Sequence, residues 1–184
     1  MPQNHFTKVL NLLASPKTFR CLLALLLASA LSSNLWAQSL VGEVVAIADG
    51  DTLTVLDADR VQHKIRLAGI DAPERKQPFG QRSRQTLADL VFRKQVEVMT
   101  EKKDRYGRTI GKVIYQGRDV NLLLVSEGMA WHYKQYAREQ DAADQKLYAL
   151  AEESARAEQR GLWRDPQPIP PWSWRSGVRE SEPQ

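Results

Sequence analysis

The 184-residue chain predicts an α+β protein: a small, mainly antiparallel β barrel followed by helices. Three observations carry this expectation. Alternating apolar and polar residues with turn punctuation dominate from Val41 to Thr100, helical spacing takes over in two later stretches, and 42% hydrophobic with 26% charged residues suits one domain and its core. A chain of this size excludes large multidomain machinery.

Val41 to Ala48, rich in β-branched residues, makes a first strand, and Asp49-Gly50 a turn. Leu53 and Val55, alternating with Thr52 and Thr54, make a second strand. A third runs from Val61 to about Gly69, with Val61, Ile65 and Leu67 on the apolar face and Gln62, Lys64 and Arg66 on the polar one. His63 shares the apolar parity and reads as a packed histidine, whereas His132 has no evident partner. Strands at Val96 to Glu101 and Ile110 to Tyr115 bring the set to that of a small five-stranded barrel.

Gln81 to Lys94 spaces Leu87, Leu90 and Val91 for one helical face. Asp119 can cap a second helix whose Val120, Leu123 and Leu124 face inward and which Gly128 ends. A third, from about Arg138 to Arg160, is expected to bury Leu147, Leu150, Ala151 and Ala155, with Gly161 as its stop. Residues Asp165 to Trp174, rich in proline and tryptophan, favour polyproline II. The tail, 165–184, reads as a strap on its own domain, with a peptide ligand for another protein as the alternative.

The N-terminus has a basic start, an apolar run from Cys21 to Leu31 and a small residue at Ala37, the order of a secretory signal peptide over residues 1–37. The apolar run of about 11 residues is short of the roughly 20 that cross a bilayer. A retained anchor is the alternative; with cleavage near Ala37 no stable membrane insertion remains. The formal charge of +4 includes Lys8, Lys17 and Arg20, so residues 38–184 carry only +1. The single cysteine, Cys21, would leave with the leader, which excludes disulfides and thiolate chemistry and disfavours transition metals, since only His63 and His132 would remain.

Three polar clusters fall at strand ends: Asp49-Gly50-Asp51-Thr52, then Arg66 with Asp71-Ala72-Pro73-Glu74, then Asp104-Arg105-Tyr106-Gly107-Arg108. Each alone is an ordinary turn. Together they supply what phosphodiester hydrolysis requires, namely groups that hold charge on phosphorus and a group that activates or orients water. Asp51, Asp71 and Glu74 offer hard oxygens suited to calcium or magnesium, and Arg66 and Arg108 offer forks for phosphate oxygens. Asp71 follows Arg66 by five residues, an odd number, so a regular strand would point the two apart. A bulge or strand end at Gly69 would bring Asp71 to the Arg66 side.

These clusters, with Val120-Asn121, Gly128-Met129-Ala130 and Gly161-Leu162-Trp163, resemble the staphylococcal nuclease (thermonuclease) family over about residues 40–164. The resemblance implies an OB-fold barrel with three α-helices in residues 38–164 and calcium-dependent hydrolysis of DNA and RNA that leaves 3′-phosphate ends. By position it makes Asp51, Asp71 and the carbonyl of Ala72 ligands of one calcium ion. Glu74 orients or deprotonates the attacking water, and Arg66 and Arg108 bind the scissile phosphate. Tyr106 is placed at a terminal phosphate, and one or more of Trp131, Tyr133 and Tyr136 at the bases. Ala72 stands where the type enzyme has threonine, and the loop from Arg75 to Gly80 is shorter and poorer in lysine. The expected protein is a periplasmic or secreted monomer acting on single-stranded or breathing DNA and RNA. A basic cleft is expected from Arg66, Arg75, Lys76, Arg82, Arg84, Lys102, Lys103, Arg105 and Arg108. The rivals are a noncatalytic OB module that binds nucleic acid or protein, and a structural exported domain whose tail docks a partner.

Overall fold

The computed structural model describes residues 38–177; the leader expected at 1–37 and residues 178–184 lie outside the described residues. Strands β1 (Gln38–Ile47), β2 (Thr52–Asp57) and β3 (Gln62–Leu67) form an antiparallel meander. A two-residue strand β4 (Ile70–Asp71) follows, then helix α1 (Gly80–Val91) and strands β5 (Gln95–Lys103) and β6 (Thr109–Tyr115). The sheet order β3-β2-β1-β5-β6 closes through a parallel pairing of β3 with β6, in which Arg66 faces Ile110. This closed five-stranded barrel with attached helices is the expected OB-fold, of the α+β class.

Closure removes the sheet edges and gathers one apolar interior. Val44, Leu53, Val55, Ile65, Leu67, Val98 and Val113 fill it and are fully or almost fully buried. Each such side chain contributes roughly 1.5–3 kcal/mol relative to exposure. Val61, expected on the same face as Ile65, precedes β3 and is exposed. His63 is not packed in the core either: it pairs with Asp57 at 2.6 Å on the barrel flank, where its hydrogen bond holds the Asp57 carboxyl below the usual range.

Helix α1 buries Leu87 and Val91 as its spacing predicts, with Leu90 partly buried against the core. After β7 (Arg118–Asp119), Asp119 accepts from Leu122 N at 3.0 Å and starts helix α2 (Val120–Ser126). Its inward set is Val120, Asn121, Leu124 and Val125 rather than one including Leu123, because the Asn121 amide is drawn inside. Asn121 donates to the carbonyls of Ala68 and Gly111 and accepts from Val113 N.

The last long helix departs most from expectation. Residues Lys134–Glu139 form a 3-10 turn, and helix α3 (Ala142–Ala157) starts only after Asp141, which caps it through Asp144 N. Leu147 and Leu150, expected inside, are 50% and 51% exposed. The buried set is Tyr148, Glu152 and Ala155, with Ala151 packed against it. Polar anchors fix this face: Tyr148 donates to Asp119 at 2.8 Å, while Glu152 accepts from His132 N and pairs with Lys134. His132 is thus buried, with Nε2 at 3.0 Å from Gln140 Oε1.

Strand β8 (Trp131–His132) pairs with β4, apart from the barrel sheet. Trp131 packs with Trp163 and Ala155 in a second small cluster. The proline-rich tail is not polyproline II throughout: Pro171 starts a short fourth helix, α4 (Pro171–Arg175), consistent with proline at a first helical position. Pro171 is buried and Trp172 packs edge-on against Trp131, so this part of the tail lies on its own domain. No helix among the described residues is long and apolar enough to cross a membrane.

Candidate active site

Local backbone geometry brings the strand-end clusters together. β3 stops at Leu67, and Gly69, with φ of +72°, turns the chain so that Asp71 returns to the Arg66 side. Arg66 Nη2 then donates to Asp71 Oδ1 at 3.0 Å, and Nη1 pairs with Asp51 Oδ2 at 3.0 Å. Nη1 also donates to the carbonyls of Leu67 and Ile70. Strand termination, rather than a bulge within β3, is what re-aims Asp71.

The turn before β2 is locked onto the same structure. Asp51 Oδ2 accepts from Ala72 N at 2.8 Å, tying the Asp49–Thr52 turn to the loop that carries Glu74. Gly50 is required by close approach: a Cβ there would stand 2.0 Å from Ser83 Oγ and 2.7 Å from Ala72 Cβ. Glu74 N donates to Gln77 Oε1 at 3.0 Å, which fixes the start of that loop.

In the third cluster, the β5–β6 hairpin is held by Asp104. Its carboxylate accepts from Tyr106 N, Arg108 N and, at 2.7 Å, Arg108 Nε. The Tyr106 ring is 69% exposed, with the Arg105 and Arg108 guanidiniums 4.8 and 5.6 Å from its centre.

Nine of the ten residues nominated from the sequence, Asp51, Arg66, Asp71, Ala72, Glu74, Tyr106, Arg108, Tyr133 and Tyr136, line one open cleft of about 630 Å3. Trp131, the third aromatic considered for base stacking, is buried between Trp163 and Trp172 instead. Of the expected basic residues, Arg66, Lys102, Lys103, Arg105 and Arg108 reach the cleft, whereas Arg84 donates to the Ile47 carbonyl. Tyr133 N donates to the Gly69 carbonyl, which sets the tyrosine beside the carboxylates, and its ring lies 5.0 Å from that of Tyr136.

Two charged cleft residues stand out that were given no individual role from the sequence, one of them named only as part of its turn. Arg175, on α4, donates from Nη2 to Asp71 Oδ2 at 2.8 Å and from Nη1 to Asp71 Oδ1 and Glu74 Oε1 at 3.2 and 2.8 Å. The other is Asp49, whose carboxyl burial and the Asp51 charge push up to about 6. Burial likewise raises the Asp71 carboxyl, against the opposing pull of Arg175 and Arg66. The Arg66–Asp71 contact spans five residues and was open to local reasoning, but Arg175 comes from 104 residues away. The only signal for it was a basic residue closing the aromatic tail.

The donor set suits a hard cation. Asp51 and Asp71 are buried carboxylates side by side on Arg66, and Asp71, only 1% exposed, is already compensated by two guanidiniums. Among the described residues no three His, Cys, Asp or Glu side chains are grouped to hold a metal unaided. An ion here would rest on the two carboxylates, a backbone carbonyl and water, the oxygen environment of calcium or magnesium.

Comparison with known proteins identifies the family. A family model described as staphylococcal nuclease homologue matches residues 64–165. The chain belongs to the staphylococcal nuclease family. It is 49% identical over 132 residues to an "Uncharacterized endonuclease" of Haemophilus influenzae, covering 72% of this chain and 71% of that protein. It is 46% identical over 149 residues to a "Micrococcal nuclease" of Shigella flexneri, covering 76% and 83%. A third relative, "Protein ParB" of Escherichia coli, is 46% identical over 153 residues, covering 78% and 83%.

Proposed function

We propose that this member of the staphylococcal nuclease family is an exported, monomeric nuclease that hydrolyses phosphodiester bonds of DNA and RNA with calcium and leaves 3′-phosphate ends. The single observation that carries the reading is the convergence of all three carboxylates and both arginines on one cleft from three separate chain segments. Turns that merely solvated their charges would have no reason to share a wall.

Asp51, Asp71 and the Ala72 carbonyl are the calcium-holding set, and bound calcium supplies positive charge against the phosphate. Glu74, half-buried at the cleft wall, orients or deprotonates the water that attacks phosphorus, and the bond to the 5′ oxygen breaks. Arg66 and Arg108 both line the cleft and stabilise the negative charge that grows on phosphorus. Tyr106 hydrogen-bonds a terminal phosphate, and Tyr133 and Tyr136 take bases of single-stranded or breathing substrate. Lys102, Lys103 and Arg105 on the same rim attract the polyanion even though residues 38–184 carry only +1. The leader at residues 1–37 directs the chain to the periplasm or beyond the cell.

The test is cleavage of single-stranded DNA with calcium, with magnesium and with chelator, followed by analysis of the product ends. Calcium-dependent cleavage to 3′-phosphate ends, at a rate that falls with rising salt, is expected. Tight binding without cleavage under any metal would overturn the proposal in favour of a noncatalytic OB module.

A further inference from the structure

The C-terminal strap occupies the very groups assigned to chemistry. Arg175 sets one guanidinium nitrogen on each Asp71 oxygen and shares one of them with Glu74, so the cation and the water-activating position are engaged by a single side chain. Nearby, the Trp172 ring lies parallel to that of Tyr133, at 5.3 Å and 16°, in the arrangement a stacked nucleobase would take. The strap is anchored further back as well: Gln77 Nε2 donates to the Ile169 carbonyl at 2.5 Å while its Oε1 holds Glu74 N. Pro171 is buried against the domain.

These contacts differ from incidental packing of a tail. A packing strap needs only apolar burial, which Pro171 and Trp172 provide. Placing Arg175 on Asp71 and Glu74 brings a positive charge to the point where the proposed divalent ion and the attacked water belong. The side chain is 44% exposed, so it can leave without unfolding the barrel.

We propose that residues 165–177 are an autoinhibitory strap, in which Arg175 is a tethered cation that competes with calcium for Asp71 and occupies Glu74, while Trp172 stands in for a base on Tyr133. In the absence of calcium the strap keeps the buried carboxylates compensated and closes part of the cleft. Calcium and nucleic acid displace it together, since one takes the carboxylates and the other the tyrosine face. The inference rests on the calcium site proposed above.

Calorimetric titration of calcium into the purified wild-type protein and its Arg175→Ala and Trp172→Ala variants tests it, with hydrogen exchange of residues 165–177 followed in parallel. Arg175→Ala is expected to bind calcium about tenfold more tightly, the scale of losing a competing charge-assisted contact. Trp172→Ala, which leaves every carboxylate contact in place but loosens the strap, is expected to bind about threefold more tightly. In the wild type, calcium should speed exchange across 165–177. Equal or weaker calcium binding by both variants, or exchange that calcium leaves unchanged, overturns the strap while leaving the calcium site standing. Failure of all three proteins to bind calcium at millimolar concentration overturns both.

Discussion

The two walls of the cleft treat their carboxylates in opposite ways. On the barrel wall, where β2 begins and β3 ends, burial pushes the Asp71 carboxyl up, and the guanidiniums of Arg175 and Arg66 oppose that rise. On the β5–β6 hairpin, burial also pushes the Asp104 carboxyl up, but the Arg108 side chain and the amides of Arg108 and Tyr106 together outweigh it, so the carboxyl is held below the usual range. One wall therefore holds buried charge at a cost to stability. The other is satisfied locally and keeps its arginine at the water's edge.

This contrast separates stability from activity. Arg66→Ala should abolish cleavage and also lower stability by about 3 kcal/mol, because Asp51 and Asp71 would lose a shared buried partner. Denaturant unfolding beside a cleavage assay reads both effects. Arg108→Ala should cost cleavage at least about a hundredfold but stability less than about 1 kcal/mol, since Asp104, four residues away, keeps the amides of Tyr106 and Arg108 as partners when the Arg108 side chain is lost. Equal stability losses for the two variants would erase the distinction between the walls.

Smaller effects sharpen it. Gly50→Ala should destabilise by about 1–3 kcal/mol, because the new methyl meets Ser83 and Ala72 where the turn is locked to the barrel wall. Thermal denaturation measures this directly. The smallest effect belongs to Asp104→Asn. With a folded value below the ordinary 3.8, Asp104 stabilises the protein above that pH, and the contribution is lost as pH falls through the depressed value. The variant should therefore show a shallower stability loss in acid than the wild type, and parallel acid titrations would contradict the assignment.

The same division explains what could be read in the sequence. Contacts within a few residues were legible: Arg66 with Asp71 across Gly69, the Asp104–Arg108 turn, and the Asp119 cap. Barrel closure was legible through the alternation of Leu53, Val55, Ile65 and Leu67. The face of α3 was not, because Tyr148 and Glu152 are drawn inward by Asp119, His132 and Lys134, partners that hydrophobic spacing cannot weigh against two leucines. Arg175 was illegible for a similar reason: its partners lie about a hundred residues away, and nothing in the local pattern of the tail points to a carboxylate.

The most direct test of the cleft as a hydrolytic site is Glu74→Gln, assayed side by side for binding and for cleavage of single-stranded DNA. Glu74 lies at the open wall and its exchange for glutamine keeps size and a hydrogen-bonding oxygen for Arg175. DNA binding is expected to stay close to wild type and cleavage to slow by at least about a hundredfold. Cleavage at the wild-type rate would contradict a hydrolytic role for this cleft.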